Sequence, residues 1–316
     1  MGEFELIERH FVRPMRKADL GPGDDCALLR VAPGQQLAVS SDMLVEGRHF
    51  LSTVAPDRLG HKALAVNLSD LAACGAEPLA FTLALALPRA DEAFVAPLAR
   101  GLFELAERHD IELVGGDTTA GPLNLCITVM GQVPIGQALL RSGARPGDDL
   151  WVSGLLGDAR LALEVFRGTA RLANADFESV RRAMECPEPR VSLGLALRGV
   201  AHSAIDVSDG LLGDLGHILR RSGVGAEVDL RLLPRSAVLA TQPPDLQREC
   251  LLRGGDDYEL LFSAAPGLAA DVKAAGDRAG VAVTRIGRIR AAPGLAVIDE
   301  CGRVQATLAR GFDHFT

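Results

Sequence analysis

The sequence predicts an α/β (α+β) protein of two domains, each with a mixed sheet and its own helices. Three observations predict it. Apolar runs of strand length alternate with segments of helical period along all 316 residues. Gly- and Pro-rich punctuation gathers at 134–147, after which the strand–helix pattern restarts. The composition, 48% hydrophobic and 23% charged, is that of a globular chain with enough apolar content for two cores. The boundary is placed at 137, giving domains 1–137 and 138–316.

The elements follow in order. Residues 37–41 form an apolar run ending in Ser-Ser-Asp, and 79–87 a longer one bounded by Pro78 and Pro88; both read as strands. Between them, 58–74 carries Leu64, Leu68 and Leu71 at helical spacing, and Gly75 supplies a stop. Residues 91–108 form a second helix, with Phe94, Leu98, Leu102 and Leu105 on one stripe. Strands return at 111–114 and 123–133, separated by GGDTTAGP read as a loop. In the second domain the strands are 150–153, 226–230, 259–262 and 281–289. Its helices begin near Gly157 and cover 190–200 and 211–221. No repeat of 20 to 50 residues is visible.

Charge and cysteine usage exclude several function classes. With 33 basic against 41 acidic residues the net charge is −8, which disfavours a sequence-independent nucleic-acid partner. It does not disfavour a phosphate ligand that arrives with its own cations. The six cysteines, at 26, 74, 126, 186, 250 and 301, include no Cys-x-x-Cys pair, so zinc-ribbon and thioredoxin spacings are absent. The acidic, amphipathic start differs from a signal peptide, and the 79–87 run is far short of the roughly 20 residues of a membrane span. A reduced, cytoplasmic protein with no membrane partner is the expectation.

The aspartates carry the functional signal. They fall in short clusters flanked by Gly, Ser or Thr at the ends of apolar segments: 23–25, 40–42, 69–70, 115–119, 206–210 and 254–257. Carboxylates are costly to concentrate unless cations neutralise them. Magnesium takes oxygen ligands, keeps several waters, and is commonly shared between carboxylates and a bound phosphate. The glycine pairs before Asp117 and Asp256 leave room for backbone amides to approach a phosphate. Asp206 and Asp209, three apart, could face one ligand if a helix begins there. Each cluster alone also suits an ordinary turn or a helix N-cap.

Missing motifs narrow the chemistry. There is no G-x-x-x-x-G-K-[ST], and only three lysines, at 17, 62 and 273. No dinucleotide fingerprint, kinase catalytic loop, G-x-S-x-G or H-E-x-x-H is present. A protein that handles ATP without these must put metals and aspartates where a phosphate lysine would stand.

Eight segments, GDDCALL (23–29), SSDMLVEGRHF (40–50), KALAVNLSDLAACGAEP (62–78), GGDTT (115–119), RSGARPGD (141–148), IDVSDGL (205–211), GGDDYEL (254–260) and GFDHF (311–315), resemble the thiamine-monophosphate kinases in order along nearly the whole chain. That family sits in a superfamily with aminoimidazole ribonucleotide synthetase and selenophosphate synthetase. The resemblance implies an N-terminal α/β domain that pairs with its mate in a homodimer, a C-terminal α/β domain, and a nucleotide site between them. It implies transfer of a phosphoryl group from ATP to thiamine monophosphate. Carried over by position, Asp25, Ser40, Ser41, Asp42, Asp70, Asp117, Asp206 and Asp209 would hold several Mg²⁺ ions. Gly116, Asp117, Arg141 and Ser208 would contact ATP, and His49, Asp256 and Phe312 the thiamine phosphate. Position 256 is Asp where the family often has Glu.

Bland roles stand beside these: His49 packing near Phe50, Arg141 as a surface charge, Phe312 closing a core, and Lys62 in an ion pair or on a phosphate. The selenophosphate branch would need a reactive cysteine in a glycine-rich segment before Asp24. The carbamoyl-dehydrating branch would end in cysteine. A metal-dependent nucleotide-binding regulator without catalysis is the reading from another class.

Overall fold

A computed structural model describes residues 2–307, which divide into one unit of residues up to 71 with 76–136, and another of 72–75 with 137 onward. The first begins with α1 (Glu3–His10) and a short antiparallel ribbon of β1 (Ala18–Leu20) and β2 (Leu28–Leu29). Its sheet is built from β3 (Gln35–Val45), β4 (Glu77–Leu87), β5 (Glu112–Ala120) and β6 (Asn124–Pro134), in the order β3-β6-β4-β5. Only the β4–β5 pair is parallel, and it is linked through a helix as a parallel crossover requires.

The helices are α2 (Pro56–Cys74) and α3 (Glu92–Arg108). Proline at the first position of α2 loses no intrahelical bond, and Gly75, at φ +65°, takes the left-handed conformation that ends the helix. Leu64, Leu68 and Leu71 are buried, each stabilising the fold by about 1.5–3 kcal/mol. The Asp91 carboxylate accepts from the Ala93 amide and caps α3, whose Val95, Leu98, Leu102 and Leu105 stripe is buried.

One sequence expectation fails here. GGDTTA is the second half of β5, paired with β4 as far as Ala120, and is not a loop. The register shifts at Val114, where Phe81 faces Leu113 but Thr82 faces Gly115. Two glycines hid the strand, and the β-branched Thr118 and Thr119 carry it on.

The second unit holds a second, larger sheet. In chain order its elements are β7 (Asp149–Ser153), α4 (Asp158–Phe166), α5 (Asn174–Glu185), α6 (Val191–Ala196), β8 (Ser203–Asp206), α7 (Leu211–Ser222), β9 (Gly225–Asp229), α8 (Ala237–Ala240), α9 (Pro244–Arg253), β10 (Leu260–Ala264), α10 (Ala269–Ala279), β11 (Val283–Arg290), β12 (Gly294–Ile298) and β13 (Val304–Thr307). Among the described residues the strands lie in the order β13-β12-β9-β11-β7-β10-β8, and only β9 and β12 run parallel. Strands β7 and β10, inside the sheet, and β8 at its edge are buried along their whole length. Helix α7 turns Leu211, Leu215 and Ile218 into the core. Helix α5, rich in charge and unread in the sequence, packs on α4 through an edge-to-face contact of Phe166 and Phe177, 5.3 Å between centroids.

Candidate active site

Strand alternation sorts the Ser-Ser-Asp segment of β3. Ser40 and Asp42 share one face, and α2 brings Asn67 and Asp70, one turn apart, against it. The Ser40 hydroxyl donates to Asp70 Oδ2 at 2.5 Å, and the Asp42 amide donates to Asn67 Oδ1 at 3.0 Å. Asn67 is itself fixed by donating to the Ala63 carbonyl at 2.9 Å. Sequence reading placed Asn67 on the helix without a role; its spacing from Asp70 was the available signal.

Ser41 does not join this group through its side chain. Its hydroxyl lies on the opposite face, 2.9 Å from Thr128 Oγ1 and donating to the Ile127 carbonyl at 3.2 Å. A period-two strand cannot present adjacent residues to one side. Asp117 is exposed on β5, opposite Ala84. Gly116 before it has φ +151°, and a Cβ there would run into the Leu83 carbonyl, so only glycine fits. Asp25 is exposed in the bend ahead of β2.

His49 follows β3 in a tight turn, half-buried, with its ring orientated by the Val45 amide donating to Nδ1 at 3.0 Å. In the neutral ring that puts the proton on Nε2. Lys62 is buried, and its ammonium donates to the His49 carbonyl at 3.3 Å, so it braces the histidine turn.

In the second unit, Asp206 ends β8 and is buried, while Ser208 and Asp209 occupy the turn before α7. The helix begins only at Leu211, so the expectation that Asp206 and Asp209 share its first turn is corrected: a strand end and a turn carry them. Asp214 does lie in that first turn, and its Oδ2 accepts from the Ser208 and Asp209 amides, both at 3.0 Å. Burial, then the negative charges of Asp206 and Asp209, push the Asp214 carboxyl up to about 8 despite those two bonds. In the sequence Asp214 stands five residues past Asp209, outside the Gly- and Ser-flanked cluster, and only the fold turns it back onto that segment.

The segment 254–259 is laced to this turn. The Asp256 amide donates to the Ser208 carbonyl and the Tyr258 amide to the Val207 carbonyl, both at 2.9 Å, and the Val207 amide donates to Glu259 at 2.8 Å. Asp256 and Tyr258 hold φ +69° and +51°, unusual for residues with side chains. The Tyr258 hydroxyl donates to Asp256 Oδ1 at 3.1 Å. Asp257 accepts from the Gly157 amide at 2.9 Å, and burial pushes its carboxyl well above the usual range.

Arg141 is exposed, and its carbonyl accepts from the Ser222 hydroxyl at 3.3 Å. Phe312 lies outside the described residues. Among the described residues, no three His, Cys, Asp or Glu side chains converge to hold a metal ion by themselves. In each unit the donors are oxygens, those of Ser40, Asp42 and Asp70 in the first and of Asp206 and Asp209 in the second, which fits a hard cation completed by water and phosphate oxygens. Among the described residues, no helix is long and apolar enough to cross a membrane.

Family models of the AIR synthase related protein match this chain, the N-terminal domain over 23–133 and the C-terminal domain over 145–300. A thiamine-monophosphate kinase of Escherichia coli K12 is 45% identical over 320 residues, covering 99% of this chain and 98% of the relative. A crystal structure of thiamine-monophosphate kinase from Stenotrophomonas maltophilia superposes with a TM-score of 0.85 at 49% identity, covering 89% of this chain and 91% of the other. A structure described as AaThiL complexed with AMPPCP and TMP has a TM-score of 0.77 at 28% identity, covering 90% and 89%.

Proposed function

The chain belongs to the thiamine-monophosphate kinases of the AIR synthase-related family, and from that premise we propose that it moves the γ-phosphoryl group of ATP directly onto the phosphate of thiamine monophosphate, in line and with magnesium. The products are ADP and thiamine diphosphate. The observation that carries the reading is the donor arrangement: Ser40, Asp42 and Asp70 face one another across β3 and α2, and Asp206 and Asp209 stand at the end of β8 and the turn before α7. A relative solved with AMPPCP and TMP together supports a nucleotide and an acceptor bound at once.

The reaction brings two polyanions together, so their repulsion has to be screened before the oxygens align. Bound magnesium would supply that screening and orient the phosphates. Asp25, Ser40, Asp42, Asp70, Asp117, Asp206 and Asp209 would hold the ions, and Ser41 would take part through its main chain alone. Gly116, Asp117, Arg141 and Ser208 would bind ATP, and His49, Asp256 and Phe312 the acceptor. The acceptor monoester, with a second pKa near 6, is largely a dianion at neutral pH, so no side chain has to remove a proton from it.

We assign 1–137 as the dimerising domain with its metal and ATP ligands, and 138–316 as the domain that supplies Asp206, Ser208, Asp209 and Asp256. A homodimer is supported by the outward face of β3, where Leu37, Val39, Met43 and Val45 are 48%, 58%, 53% and 37% exposed. The face continues onto β6 at Thr128 and Met130. The cysteine spacing supports a reducing, cytoplasmic setting.

Transfer from ATP made chiral at the γ-phosphorus with oxygen isotopes tests the direct step. Inversion is the expected outcome; retention would show a phosphoenzyme and overturn it.

A further inference from the structure

Behind the 254–258 loop lies a buried ion pair that no ligand contact explains. Arg190, at the entrance to α6, grips both carboxylate oxygens of Glu259, with Nη2 to Oε1 at 2.5 Å and Nε to Oε2 at 2.7 Å. Ser153, the last residue of β7, donates to Glu259 Oε2 at 2.5 Å, and its own Oγ accepts from the Leu260 amide at 2.8 Å. The Glu259 side chain is 6% exposed and that of Arg190 20%. Gly154, at φ +55°, leaves the carboxylate its space, since a Cβ there would run into it.

Glu259 directly follows Tyr258 and stands three residues after Asp256, the two left-handed positions, and its carbonyl accepts from Val207 in the turn that carries Asp209. Residues with side chains hold such backbone only when their surroundings over-determine it. A guanidinium gripping a carboxylate at two points fixes direction as well as distance, which a lysine cannot do. Burying such a pair is a poor route to stability alone, because an apolar replacement of equal volume is often as good. Its position suits an anchor for the loop.

We propose that Arg190 is a positioning residue for the acceptor: acting through Glu259, it holds the 254–258 loop so that Asp256, orientated by Tyr258, meets thiamine monophosphate. The proposal rests on the assignment of Asp256 to the acceptor.

The test uses the full chain with Glu259→Gln and Arg190→Lys, assayed beside the wild type. The expected result is a KM for thiamine monophosphate raised about tenfold in Glu259→Gln and less in Arg190→Lys, with the KM for ATP within about twofold. Crystal structures of the variants should show Asp256 leaving the left-handed region. A lower melting temperature or kcat with both KM values unchanged and the loop in place would overturn the proposal, because that pattern marks a purely structural pair. Should Glu259→Gln fail to fold, Arg190→Lys, which keeps the charge, decides the matter by the same two readouts. A wild type that makes no thiamine diphosphate would count against the assigned activity, while the loop conformation in the variants would still decide the anchor.

Discussion

At the scale of single residues, the proposed function assigns Asp42 and Asp209 to cations, whose loss should be felt in turnover before stability. Asp42→Asn and Asp209→Asn should each lower kcat at least about a hundredfold, with circular dichroism unchanged and thermal stability equal or higher in EDTA. Near-normal turnover at low magnesium would remove those residues from the metal shell. Asp214 gives a pH signature. Its carboxyl titrates near 8 in the folded chain against 3.8 as its ordinary value, so between those pH values the folded state keeps a proton that the unfolded state releases. Stability of the metal-free protein therefore falls as pH rises through that window, by at most about 1.4 kcal/mol per pH unit from this group. Asp214→Asn keeps an acceptor for the Ser208 and Asp209 amides and removes the charge, so its melting temperature in EDTA should change less between pH 5 and 8 than that of the wild type. Equal slopes would contradict the origin assigned to the shift. The aspartate clusters were legible in the sequence because Gly, Ser and Thr flank them. Asp214 and the Arg190–Glu259 pair were not, since their partners are 5 to 69 residues away and meet only in the fold.

At the scale of elements, the strands and helices that carry the site follow from apolar period. The 58–74 and 91–108 helices were read nearly to their ends because leucine stripes and a capping aspartate mark them. What period could not show was β5 running through Gly115 and Gly116, or a helix such as α5 whose exposed face is dense in charge. Nor could it show that Ser41 faces away from Ser40, which needs the strand to be known to continue. The β5 geometry gives a paired prediction. Gly116→Ala sets a Cβ against the Leu83 carbonyl at a left-handed φ and should destabilise by about 1–3 kcal/mol or more in urea unfolding. Gly115→Ala meets nothing nearer than Thr82 Cγ2 at 4.0 Å and should stay close to the wild type. If both variants unfolded at the same urea concentration, the close approach of β4 to β5 would not be what fixes glycine at 116.

At the scale of the whole molecule, two properties should emerge together: self-association and phosphoryl transfer. The outward face of β3 carries four exposed apolar residues in alternation, more than a monomer ordinarily leaves on one strand. If the proposed dimer forms through this face, Val39→Lys with Met43→Glu should lower the mass in sedimentation equilibrium from that of a dimer to that of a monomer; a wild type that is already monomeric, or a variant with the mass of the wild type, would count against it. The Gly- and Pro-rich stretch near 137 carries the two-domain expectation, because a linker announces itself by composition. The acidic excess that disfavours nucleic acid would, on the proposed function, be the means of binding a polyphosphate through cations. The most direct measurement is a product assay on the purified chain with ATP, thiamine monophosphate and magnesium. Thiamine diphosphate and ADP are expected in equal amounts, abolished by EDTA and restored by added Mg²⁺. Nucleotide binding without any thiamine diphosphate, the behaviour of a regulator, would contradict the proposed function.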